Sequence, residues 1–403
     1  MRWFYRCPAC GATYDIEPGR YLCDRCSAKQ EKDRPLAGVL ECAWEGDWIG
    51  GHDDIPLPVA AEHFPPLPVG KTPLWEPTRL RELTGHPRLF LKDDTCEPTG
   101  SFKDRASWLV AAFARERGIR EIALASTGNA ASSMSGIGAS AGLKITVFLP
   151  KKAPLAKRVQ VLQYGAELRE VDGTYDLAFD RSLEYSKATG TLSRNTAYNP
   201  LTIEGKKTVA FEMVRDLAVV REHEAKRRGH LAELSPEDFV APDHVFVPVG
   251  DGVILAGVYK GFEDLVRLGR IARVPTIWAC QAQGSSAIAR ALASGTFGDP
   301  VPSDTVADSI AVDVPRNGAH ALAKLKAHGG RTVVVDDAAI LAAQKELAAG
   351  AGLFAEPSSA CAWAGFVASK DSIRPDQTVV VMITGSGLKD VAGAMRGLGM
   401  AST

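Results

Sequence analysis

The sequence predicts an α/β protein with two open, mostly parallel sheets flanked by helices, preceded by a small cysteine-bearing segment. Three observations carry this prediction. From Arg105 onward, short apolar runs alternate with helical patterns, the arrangement expected of strands buried on both faces of a parallel sheet. The 403 residues, 45% hydrophobic and 24% charged, suffice for two or three domains with filled cores. The first 31 residues instead hold four cysteines and little core of their own.

In that segment, Cys7-Pro8-Ala9-Cys10 and Cys23-Asp24-Arg25-Cys26 form two C-x-x-C knuckles separated by twelve residues. Four thiolates so spaced close a tetrahedral shell, and a segment with little core needs the metal to fold. Residues 1–31 are therefore expected to be a zinc ribbon, with structural Zn2+ on Cys7, Cys10, Cys23 and Cys26. A redox pair or a metal-free remnant is the alternative. Ribbons also meet nucleic acid or proteins, but Arg2, Arg6, Arg20, Arg25, Lys29 and Lys32 are scattered and partly offset by Asp15, Glu17, Asp24 and Glu31. A packing role is the plainer expectation.

Residues 32–69, rich in Pro, Gly and acidic residues around Trp44 and Trp48, are expected to form an extended arm. Gly70-Lys71-Thr72-Pro73-Leu74 then opens the first part of a large domain, residues 70–118. Within it, Pro98-Thr99-Gly100-Ser101-Phe102-Lys103-Asp104-Arg105 follows the apolar run Leu89-Phe90-Leu91 and precedes a helical stretch. Lys103 thus sits where a strand-like segment gives way to a helix. Partial desolvation there lowers a lysine pKa and frees the amine as a nucleophile or Schiff-base partner. A lone lysine is more often a solvated surface charge.

The candidate strands are Glu121 to Ala125, Ile145 to Leu149, Glu167 to Val171, His244 to Val249, Thr276 to Ala282, Arg331 to Val335 and Thr378 to Ile383. Residues 119–204 are assigned to a small domain and 205–403 to the rest of the large one. Arg221 to Glu233 reads as a charged helical stretch with a solvated face. Gly250-Asp251-Gly252-Val253-Ile254 follows a strand and precedes a helix, where glycines let N–H groups converge on a phosphate. A tight strand-to-helix turn would look the same. Asp251 suits an anion only if its carboxylate turns away. Cys42, Cys96, Cys280 and Cys361 have no metal-like spacing.

A net charge of −1 makes no electrostatic case for nucleic acid. No run approaches the roughly 20 apolar residues of a membrane span, and the N-terminus lacks a secretory apolar core, so a cytoplasmic protein is expected.

The octapeptide Pro98 to Arg105 resembles the cofactor-lysine motif of the threonine synthases, fold-type II pyridoxal-phosphate enzymes of the tryptophan synthase β-subunit-like superfamily. Four further stretches match in the family's order: Ser126-Thr127-Gly128-Asn129, Glu204-Gly205-Lys206-Lys207-Thr208, Val247-Pro248-Val249-Gly250-Asp251-Gly252 and Thr384-Gly385-Ser386-Gly387-Leu388-Lys389-Asp390. The resemblance implies pyridoxal 5'-phosphate carried on Lys103, which would also shuttle the substrate's protons. It implies Asn129 on the phenolate oxygen, Gly250, Asp251, Gly252, Val253 and Ile254 around the phosphate, and the Thr384 hydroxyl against the ring nitrogen. Ser101, Ser126 and Thr127 would meet the amino-acid substrate, and the family expectation is a homodimer. Standing alone, Asn129 reads as a helix N-cap and Thr384 as a turn-starting hydroxyl.

The chain also departs from the family. Threonine synthases commonly bind the phosphate of O-phosphohomoserine with an arginine in an Asn-Pro-x-Arg-x-Glu-Gly context, and here that position is Thr202. Ala130 and Thr196 replace a hydroxyl residue and an asparagine expected nearby. Threonine cannot match the paired charge-assisted bonds of a guanidinium. Either Arg316 or Arg194 supplies the cation, or the substrate has no γ-phosphate. The leading expectation is a threonine synthase-like lyase turning O-phosphohomoserine and water into threonine and phosphate. The alternatives are a threonine or serine ammonia-lyase, a β-replacement enzyme on an activated serine, and, from another class, a non-catalytic ribbon protein that binds a partner.

Overall fold

Apolar runs between turn residues become strands in the computed structural model, which describes residues 1–48, 50, 54–151, 155–227 and 239–400. The chain divides into two compact units. One draws on Met1–Asp47, Leu57–Val69 and Glu97–Lys206, the other on Trp48–Pro56, Gly70–Cys96 and Lys207–Thr403.

In the first unit the strands Glu167–Val171, Lys144–Pro150, Glu121–Ala125 and Leu192–Ser193 lie side by side in that order, all parallel. Strand alternation sorts the side chains of Glu121–Ala125 between two layers. Ile122 and Leu124 join Leu109, Phe113, Met134 and Ile137 from the helices Lys103–Glu116 and Asn129–Ser140. Ala123 and Ala125 meet Ala178 and Phe179 of the helix Tyr175–Thr189. That helix starts with Thr174 accepting the Leu177 N–H and stops at Gly190, whose φ of 72° favours a residue without a Cβ.

The N-terminal strands Thr13–Tyr14, Arg2–Arg6 and Glu41–Glu45 form an antiparallel sheet centred on Arg2–Arg6. Its Tyr5 and Cys42, with the adjacent Cys7 and Leu40, share the core of the Lys103–Glu116 helix. The Tyr21 hydroxyl accepts the Ser193 N–H at 2.8 Å, which pins the ribbon to the last strand of the parallel sheet. On the same helix Trp108 packs against Phe64 with the rings tilted by 39° and centroids 4.0 Å apart, and donates its indole N–H to the Pro65 carbonyl.

The second unit carries six strands in the order Arg331–Val335, Thr276–Ala282, His244–Pro248, Val379–Ile383, Leu89–Asp93, Leu74–Trp75. All are parallel except the last, which pairs antiparallel with Leu89–Asp93. Every residue of Val379–Ile383 is buried, as expected of a central parallel strand. The helix Pro357–Ser369 packs Trp363 and Phe366 against Phe246, Trp278 and Val381.

The predicted strands at Glu121, Glu167, Thr276 and Arg331 match residue for residue, and the other three shift by a single residue at their ends. Leu192–Ser193 has no counterpart in the prediction, because two residues carry no period to read. The charged stretch from Arg221 is helical to Arg227, and residues 228–233 of it lie outside the described residues. Among the described residues no helix is long and apolar enough to cross a membrane.

Candidate active site

Lys103 is the first residue of its helix and is half-buried. The turn before it is held by a glycine and by enclosed polar side chains. Gly100 takes a φ of 82°, and the enclosed Asp104 carboxylate accepts the Thr99 N–H at 2.7 Å and the Thr99 hydroxyl at 2.6 Å. Arg105 reaches Glu97 at 3.3 Å, with neither side chain exposed. A Cβ on Gly205 would lie 2.3 Å from the Arg105 carbonyl oxygen, so the Glu204-Gly205 pair is what lets the helix Leu201–Lys206 approach the lysine helix. Two residues before Lys103, the buried Ser101 hydroxyl has no hydrogen-bond partner among the described residues.

At the carboxyl end of Glu121–Ala125 the chain turns through Ser126, Thr127 and Gly128 into the helix that begins at Asn129. Gly128 is the N-cap residue, and Ser126 does the capping, its hydroxyl accepting the N–H groups of Gly128 at 3.2 Å and Ala131 at 3.3 Å. The capping expectation for Asn129 therefore gives way to Ser126, which is three residues closer to the strand. A Cβ on Gly128 would meet nothing within 4 Å, so the turn borders open space. The two helices pack together, Ser133 donating to Ser107 at 2.7 Å, and Ser101, Lys103, Ser126, Thr127 and Asn129 gather in one unit at their starts.

In the second unit the neighbouring parallel strands His244–Pro248 and Val379–Ile383 deliver the Gly250 turn and Thr384 from adjacent carboxyl ends, where open α/β sheets bind ligands. Gly252, with a φ of 84°, caps the helix Val253–Arg267, and a Cβ on Gly250 would sit 2.8 Å from the Ile310 Cα. The Asp251 carboxylate accepts the Arg316 N–H at 3.0 Å, while Asn317 donates its side-chain amide to the Gly252 carbonyl at 3.1 Å. The carboxylate is thus engaged with the 314–317 loop, the condition under which Asp251 suits an anion site. Arg316 adjoins the glycine turn through its main chain and is half-buried. Thr384 donates its N–H to Ser359 at 2.6 Å and is 6% exposed. Asn317, Ser359 and Gly205 escaped the sequence reading. Only Gly205 left a signal there, as part of a matched stretch with no stated job.

The sulfurs of Cys7, Cys10, Cys23 and Cys26 all lie within 4.8 Å of one another, an arrangement that can hold a metal ion. Burial opposes ionisation of Cys23. Hydrogen bonds from Tyr14, from the Cys26 main chain and from the other thiols outweigh it and bring the thiol down to about 6.

Each unit, taken by itself, offers groups suited to part of a cofactor with an aldehyde and an anionic arm. The first unit offers an amine on a fixed turn, a buried hydroxyl awaiting a partner and open space beside Gly128. The second offers a left-handed glycine turn at a helix start and an enclosed threonine. A family model for pyridoxal-phosphate dependent enzymes matches residues 66–385. The threonine synthase of Methanosarcina acetivorans is 33% identical over 402 residues, spanning 96% of this chain and 92% of its own. That of Methanocaldococcus jannaschii is 32% identical over 406 residues, 97% of this chain and 94% of its own. A solved structure of threonine deaminase isoform 2 from Solanum lycopersicum shares the fold, with a TM-score of 0.66 at 23% identity over 81% of this chain and 83% of that one. Because this kinship runs through nine tenths of both chains and includes the lysine turn, the protein belongs to the threonine synthase family of pyridoxal-phosphate dependent enzymes.

Proposed function

We propose that the protein converts O-phosphohomoserine and water into threonine and phosphate by β,γ-elimination and hydration. The observation that carries this is the near full-length kinship with two threonine synthases. Pyridoxal 5'-phosphate, when bound, supplies the electron sink that acidifies the substrate's α-carbon. Lys103 would hold it and move protons at the α- and β-carbons, a task suited to a half-enclosed amine on a rigid turn. Asn129 would donate to the phenolate oxygen, and Gly250, Asp251, Gly252, Val253 and Ile254 would surround the phosphate. Thr384 would place a hydroxyl on the ring nitrogen, a partner that does not require a protonated ring and so favours expulsion of a good leaving group.

Ser101, Ser126 and Thr127 would contact the amino acid, with Arg316 at its anionic end. Zn2+ on the four thiolates would be structural. Sulfur separations of 3.5 Å for Cys10 and Cys23 and 3.8 Å for Cys7 and Cys26 support it, since a tetrahedron with bonds of about 2.3 Å has edges of about 3.8 Å. The same kinship supports a homodimer acting on a free amino acid in the cytoplasm, and light scattering checks the oligomer.

One observation favours a second reading, an ammonia-lyase on threonine or serine, or a β-replacement on an activated serine. Thr202 is fully enclosed and its hydroxyl donates to the Asn199 carbonyl at 2.7 Å, so this position offers a phosphate nothing. The deciding experiment gives the cofactor-loaded protein O-phosphohomoserine, threonine and serine separately. Phosphate and threonine from the first support the proposal. Inert phosphohomoserine, with ammonia and 2-oxo acid formed from threonine or serine, overturns it. With phosphohomoserine as substrate, Arg316→Ala should raise KM about tenfold or more, as loss of a charge-assisted anchor requires.

A further inference from the structure

Gln281 is the penultimate residue of the strand Thr276–Ala282 and is completely enclosed. Its amide bonds main chain at both ends: Nε2 donates to the Val249 carbonyl at 3.2 Å and to the Ser285 carbonyl at 3.3 Å, and Oε1 accepts the Ala289 N–H at 2.8 Å. Only one orientation of the group offers its nitrogen to two carbonyls and its oxygen to an N–H, so the side chain is locked. Val249 immediately precedes the Gly250 turn, and Ala289 lies in the first turn of the helix Ala287–Ser294.

Ser285 continues the chain of contacts. Its hydroxyl accepts the Val312 N–H at 3.0 Å and has the Ile310 and Val312 carbonyls, at 3.0 and 3.1 Å, as acceptors for its one proton. Ile310 abuts the turn itself, since a Cβ on Gly250 would also lie 2.9 Å from the Ile310 carbonyl oxygen. The adjacent Ser309 donates its N–H to the Ser358 hydroxyl at 2.9 Å, and the next hydroxyl, that of Ser359, accepts the Thr384 N–H. One continuous frame within the second unit therefore runs from Gln281 through the glycine turn to Thr384.

Main-chain N–H groups bind a phosphate only while they converge on one point. A turn tied at its base by an enclosed amide holds that convergence before any anion arrives, which removes an ordering cost from binding. Loss of the tie would leave two carbonyls and an N–H without their partner, and the turn would relax to satisfy them.

We propose that Gln281, together with Ser285, is a positioning residue that preorganises the Gly250 turn for a cofactor phosphate and fixes the spacing of that turn from Thr384. The inference rests on the Gly250 turn as the phosphate site and is independent of the amino-acid substrate. Its signature is selective: the hold on the phosphate weakens, and the hold on the aldehyde does not.

The test titrates the full-length protein with pyridoxal 5'-phosphate and, separately, with pyridoxal, the same aldehyde without the phosphate, following absorbance. Circular dichroism and melting establish which variants fold. Gln281→Met keeps the length of the side chain and removes its hydrogen bonds; it should raise the Kd for pyridoxal 5'-phosphate about tenfold and leave that for pyridoxal nearly unchanged. Ser285→Ala should act in the same direction by about threefold, and it decides the matter alone if Gln281→Met does not fold. The phosphorus NMR resonance of the bound cofactor should move in each folded variant. Equal weakening toward both aldehydes, or weakening toward neither, overturns the inference while leaving the turn as the phosphate site. If the unaltered protein binds pyridoxal as tightly as pyridoxal 5'-phosphate, the phosphate assignment and this inference fall together.

Discussion

A single amine at the start of a helix depends on neighbours that fix its turn, and the residues doing so are charged yet enclosed. Asp104 ties down Thr99 and Arg105 ties down Glu97, so Lys103 is presented by a frame rather than by a mobile loop. Lys103→Ala should lower kcat roughly 10^3-fold or more, the scale of a lost proton-transfer group. The melting temperature should barely move, since the side chain is half-exposed, and kinetics beside calorimetry separate the two effects. His244 makes the opposite kind of contribution. Its Nδ1 accepts the Trp278 indole N–H at 3.1 Å, and burial holds its pKa below the ordinary histidine value. The fold therefore favours the neutral ring: its contribution is complete above about pH 6.5 and is lost as pH falls from there. Denaturation midpoints should drop between pH 7 and pH 5, and His244→Asn should flatten that slope.

Among the elements, the helix Leu201–Lys206 reaches the lysine helix only because residue 205 lacks a side chain. Gly205→Ala should cost about 1–3 kcal/mol, the usual price of overpacking, and should also lower kcat by shifting the helix that bears Lys103. Urea titration and steady-state kinetics check the two parts. Most strands were legible in advance because a buried parallel strand is a contiguous apolar run, and Val379–Ile383 is the clearest case. Leu192–Ser193 was illegible for the converse reason. Its two residues become a strand only through the pairing of Ile122 with Leu192 and Ala123 with Ser193. The glycine turn was legible as a turn, but the direction of the Asp251 carboxylate was not. It is set by the main chain of Arg316, 65 residues downstream.

In the whole molecule the ribbon is no appendage, for Tyr5, Cys7, Cys23 and Cys42 belong to the core of the first unit. With zinc on the four thiols, as proposed, a chelator should lower the melting temperature and expose thiols, and Cys23→Ser should reproduce it without chelator; metal analysis beside calorimetry checks this. The order of residues alone determined the family and the four-cysteine cluster, because each is written in a few consecutive residues whose chemistry needs no distant partner. Folding settled the rest: that Arg194 is enclosed against Ser107 of the lysine helix, that Ser126 rather than Asn129 caps its helix, and that Ser359 positions Thr384. Burial and hydrogen-bond partnership belong to neighbours in space, and those neighbours come from far along the chain.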